Sequence, residues 1–83
     1  MNLLALICHV PLMVSYQPDV VLFTADRSGR GSMGYAEMQA EFRDDVVIIR
    51  NNVYTAVIDK NLQVSLTLLG DTTTTGTCYE RPN

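Results

Sequence analysis

Between Asp26 and Tyr35 the chain reads DRSGRGSMGY, a run of glycine, arginine and serine that ends on an aromatic residue. Arginine offers a planar fork of donors that matches phosphate or carboxylate, and backbone N–H groups in a glycine-rich loop can line a concave anion site. Tyr35 adds a ring on which a base can stack. Arg27, Ser28, Arg30, Gly31, Ser32 and Tyr35 are therefore the candidate ligand-binding set, for a phosphate or a nucleotide. Gly29–Gly34 also matches G-x-G-x-x-G. In a dinucleotide fold the first glycine follows its strand directly and the loop opens a helix. Here Ala25–Ser28 intervene, and the chain is too short for paired βαβ units. The motif is read as an anion loop, against the plain alternative of a solvated connection.

Other reactive residue types are sparse. Cys8 and His9 are adjacent, but neighbours on a strand point to opposite faces, so they do not form a catalytic pair. Asp26 and Asp44-Asp45 sit in or beside turns, where aspartate usually caps; a weak acid–base catalyst built on them is the third-ranked reading. Two cysteines and one histidine, widely spaced, make no zinc set. No nucleophile motif is present, and no catalytic residue, metal or cofactor is assigned.

The chain has 83 residues, six basic and nine acidic, with a net charge of -3. Nucleic-acid binding rests on lysine and arginine neutralising phosphates, and six scattered bases make no stripe, so general nucleic-acid binding is not expected. A domain this short has a thin core. The apolar start, MNLLALICHVPLMV, lacks a basic leader region and a clear cleavage site, and it is too short to span a bilayer. Two cysteines are few for a disulfide-stapled secreted domain. The expectation is a cytoplasmic protein with no membrane contact, with secretion left open and the Cys8–Cys78 pairing unassigned.

The elements that must position these residues read as strands. Leu3–Val10 is an apolar run of strand length, broken by Pro11. Leu12–Tyr16 is a short second strand, Gln17-Pro18-Asp19 a turn, and Val20–Thr24 a β-branched and aromatic strand. Ala25–Gly34 is a loop. Residues 35–42 (YAEMQAEF) alternate with a period of two and are read as a strand, with a short helix as the alternative. Asp45–Arg50, Val53–Asp59 and Leu62–Leu69 form an antiparallel meander through two-residue turns at Asn51-Asn52 and Lys60-Asn61. That register pairs Ile48 with Thr55 and Val57 with Val64. It puts Val46, Ile48, Val57, Val64 and Leu66 on the core face, and leaves Val47, Ile49, Ala56 and Ile58 as a second apolar face.

The predicted architecture is all-β, a meander in a small sandwich or barrel-like fold, with α+β the alternative if 35–42 is helical. Residues 1–70 form one domain, and 71–83 form a polar threonine-rich arm. Two functions follow. The first is a non-enzymatic binding or assembly module that forms a homo-oligomer by covering the second apolar face. The second is a small-ligand protein holding an anionic molecule in the 26–35 loop.

Overall fold

The computed structural model describes residues 3–11, 20–70 and 72–81. The segment 12–19, with the expected short strand and turn, lies outside the described residues. Eight strands follow in order: β1 (Leu3–His9), β2 (Val20–Asp26), β3 (Arg30–Met33), β4 (Ala36–Arg43), β5 (Val46–Arg50), β6 (Tyr54–Ile58), β7 (Gln63–Leu68) and β8 (Thr72–Glu80). Each pairs antiparallel with the next, and β8 returns to pair with β1, which closes an up-and-down barrel. The all-β, barrel-like expectation holds. No helix among the described residues is long and apolar enough to cross a membrane.

Alternation along each strand builds the interior. Leu6, Cys8, Val21, Phe23, Ala25, Met38, Ile49, Ala56, Ile58, Val64, Leu66 and Cys78 point inward and are buried, and among the described residues no buried one is polar or charged. An eight-stranded barrel is just wide enough for its own side chains to fill it. Cys8 and Cys78 oppose each other across the β1–β8 seam and are disulfide-bonded.

The strand reading of 35–42 holds: residues 36–43 form β4, Met38, Ala40 and Phe42 face or border the core, and the backbone is paired on both sides. The structure corrects the sequence reading at four places. The glycine-rich stretch is not one loop. Its turn is confined to 27–29, and Arg30–Met33 forms β3, because Gly31 fits where a Cβ would meet the Thr24 carbonyl oxygen at 2.7 Å.

Two turns are displaced. The β5–β6 reversal falls at Asn52-Val53, closed by Asn51 N–H donating to the Tyr54 carbonyl at 2.9 Å. Asn51 Oδ1 also accepts from the Val53 and Tyr54 amides, both at 2.8 Å, so Asn51 anchors the turn from outside it. Ile48 consequently opposes Val57, not Thr55. The β6–β7 connection is a three-residue loop, 60–62, closed by Asp59 N–H donating to Gln63 O at 3.0 Å. Leu62 takes the left-handed position (φ 59°) that ends such loops. The extra residue slips the register by one and pairs Ile58 with Val64. The faces are thereby exchanged on β5 and β6: Val47, Ile49, Ala56 and Ile58 line the barrel, while Ile48 and Val57 lie outside, half-buried. Both apolar sets were legible, but closure of the barrel takes up the one read as surplus.

The last correction concerns the tail. Thr72–Glu80 is not an arm. It pairs along β7 from Leu68↔Thr72 to Gln63↔Thr77, and along β1 from Leu6↔Glu80 to His9↔Thr77. Threonine suits a strand that is polar outside, and Gly76 and Cys78 supply the small residues needed inside.

Candidate functional site

In an up-and-down barrel alternate turns share an end. The 27–29, 44–45 and 59–62 turns gather at one end, and the 34–35, 51–53 and 69–70 turns at the other. The first group carries Arg27, Asp44, Asp45, Asp59 and Lys60, whereas the described residues of the second carry no charge.

At the charged end the barrel mouth opens into a cavity of about 340 Å³. Its floor is Leu6 and Ile58, both fully buried, and its walls are Leu4, Phe42, Val47 and Leu62. Arg27, Asp44, Asp45, Asp59 and Lys60 form the rim. The Arg27 guanidinium lies over the Phe42 ring at 4.6 Å from its centroid, a cation–π contact that holds the charge at the lip. Asp59 Oδ1 is engaged in its own turn, accepting from the Asn61 amide at 2.9 Å and the Gln63 amide at 3.0 Å. An apolar pocket with a few polar groups at its edge is the usual form of a small-molecule site, and barrel mouths are a common place for one.

The six residues picked from sequence are not brought together. Arg27 belongs to the mouth. Ser28 turns back on Asp26, whose Oδ1 accepts from the Ser28 amide at 2.9 Å, from its hydroxyl, and from the Arg30 amide at 3.2 Å. Hydrogen bonding by the Ser28 hydroxyl, then by the Arg30 amide, lowers the Asp26 pKa below its ordinary value. The carboxylate thus takes the amides that an anion was expected to bind. Arg30 and Ser32 alternate with inward Gly31 and face outward, and Ser32 Oγ shares a 2.6 Å hydrogen bond with Thr24 Oγ1. Tyr35 is fully exposed in the β3–β4 turn, at the opposite end of the barrel.

Residues missed from sequence are Leu4, Phe42, Lys60 and Leu62. Each reads as core or turn when taken singly, and only closure sets them around one opening. Turn charge alone does not single out the mouth in the sequence, since Asp71 follows the 69–70 turn at the other end. His9 and Cys8 do point apart. His9 is exposed and stacks on Tyr79, with ring centroids 5.7 Å apart and planes at 24°, while Cys8 is buried in its bond to Cys78. In comparison with known proteins, the chain matches no family model, no curated protein and no solved structure.

Proposed function

We propose that this chain is a non-enzymatic binding domain that takes a small anionic amphiphile at the charged mouth of its barrel. The observation that carries the reading is the cavity of about 340 Å³ with an apolar floor and walls and with Arg27 and Lys60, beside Asp44, Asp45 and Asp59, on its rim. The apolar part of such a ligand displaces water from Leu4, Phe42, Val47 and Leu62, and its anionic group lies between the two cations. Asp44 and Asp45 disfavour a second negative charge on their side of the rim. Arg27 is the residue this reading keeps from the 26–35 loop.

Titration calorimetry with medium-chain carboxylates, alcohols and amines tests it. Carboxylates should bind more tightly than alcohols of equal length, and amines less tightly. An Arg27→Ala/Lys60→Ala variant should weaken carboxylate binding about tenfold and leave alcohol binding unchanged. Equal affinity for all three head groups, or an unaffected double variant, would remove the mouth from consideration.

Self-association is the second reading. The barrel has no free edge, so copies would have to meet face to face. Tyr79 is 47 % exposed beside the partly exposed Ile7, which is itself flanked by Leu22 on the outer wall. Sedimentation at micromolar concentration decides it, and a lone monomer there would end this reading. As to compartment, the buried cross-strand disulfide supports an oxidising environment over the cytoplasmic one expected from sequence.

A further inference from the structure

Among the described residues, four of the five large apolar side chains exposed to water lie at the end whose described turns carry no charge: Tyr35, Val53, Leu69 and Val20, at 108, 40, 70 and 46 % exposure. The first three occupy three separate hairpin turns, and Val20 begins β2 at the same end. The Leu69 amide donates to the Val53 carbonyl at 2.7 Å, which holds two of those turns side by side. Leu69 also adopts φ 52°, a left-handed conformation that leucine rarely takes, while its side chain remains in water. None of these side chains serves the core.

We propose that this end is a contact surface for a lipid bilayer, with Tyr35, Val53 and Leu69 entering the boundary between headgroups and acyl chains. The observations favour a lipid over a protein partner. The tips are convex and stand on separate turns, so a rigid partner would need a matching hollow for each, whereas a fluid apolar phase yields to them. Tyrosine suits such a boundary, with its ring in the apolar layer and its hydroxyl in water. Among the described residues Glu37 and Arg50 flank a hollow on the outer wall that Asn51 and Asn52 also line, and in sequence Asp71 follows the Leu69-Gly70 turn. With both signs present, the contact rests on apolar insertion and needs no anionic lipid. The expectation of no membrane contact rests on the lack of a segment long enough to span; dipping turn residues needs no such length. Docked in this way, the barrel presents its charged mouth to water.

The chain contains no tryptophan, so Tyr35→Trp introduces a single indole reporter. With phosphatidylcholine vesicles, the full chain should sediment with the lipid and the indole emission should shift to the blue. Both effects should persist at high salt. A Tyr35→Ser/Val53→Ser/Leu69→Ser variant should lose roughly tenfold in partitioning per tip and keep its circular dichroism. Four outcomes overturn the proposal: no sedimentation with an unshifted indole, undiminished binding by the folded triple variant, binding abolished by salt, or a wild-type oligomer that the triple variant dissociates. The last would make the tips a self-association surface.

Discussion

At the residue scale, Asp26 and Gly76 show how single positions hold local geometry. The Asp26 carboxylate accepts from the Ser28 hydroxyl and the Arg30 amide, and its pKa is lowered for that reason. A lowered folded-state pKa adds stability that is present above the unfolded value, roughly pH 3.9, and is lost as pH falls through the folded value. Asp26→Asn keeps an acceptor and removes the charge. Its melting temperature should lie slightly below that of the wild type at pH 7, and the gap should close as pH is lowered toward 2, as followed by thermal melts across pH. A gap that is constant with pH would mean that the charge contributes nothing. At Gly76 the constraint is space. A Cβ there would meet the His9 carbonyl oxygen at 2.1 Å and Val10 Cα at 2.8 Å, and both are backbone atoms of the chain leaving β1. Gly76→Ala should cost about 3 kcal/mol or more in urea unfolding, at or beyond the upper end of ordinary overpacking, because no side chain can turn aside.

At the element scale, the β1–β8 seam joins the two most distant parts of the chain, and the disulfide spans a sequence separation of 70 residues. In the chain-entropy description a crosslink closing a loop of that length contributes about 4 kcal/mol, a large part of the stability of a small domain. Cys8→Ala/Cys78→Ala should lower the unfolding free energy by that order, and reductant should then have no further effect on the variant. Hydrogen exchange should quicken first in β1 and β8, whereas β4–β7 are held by short local hairpins. Legibility from sequence divides along the same line. The strands in 45–69 were visible because β-branched runs alternate with asparagine-containing turns. Their register was not, because Asn51 acts from outside the turn and Leu62 occupies a left-handed position that its residue type does not announce. β3 was hidden by its glycine and serine content, since Gly31 serves close packing where a loop was expected. β8 was hidden because Thr73, Thr75 and Thr77 face outward and its inward positions include Thr74 and Gly76, neither of which reads as core. Of the candidate site, Arg27 was legible as a ligand residue and Asp44-Asp45 as turn carboxylates, since the mouth that joins them exists once the seam has closed.

At the scale of the whole molecule, closure decides where every apolar side chain goes. An open meander of β1–β7 would leave Leu6, Cys8, Val64 and Leu66 lining a gap, with unpaired N–H and C=O groups along β1 and β7. Such edges invite pairing with other chains. β8 covers both edges at once, pairing with six residues of β7 and four of β1. An appended polar arm would behave differently, since its removal costs the core nothing. A chain ending at residue 71 separates the two cases. If β8 completes the barrel, the shortened chain should lose its cooperative thermal transition and sediment as aggregates at concentrations where the full chain does not. Adding a synthetic 72–83 peptide should restore part of the β signal in circular dichroism, by supplying the missing strand in trans. A shortened chain that melts cooperatively near the full-length temperature would mean that β1–β7 can close without β8. The division into a charged mouth and an apolar crown depends on the same closure: any antiparallel meander sends alternate turns to the same end, and closure draws each set into a ring around one opening.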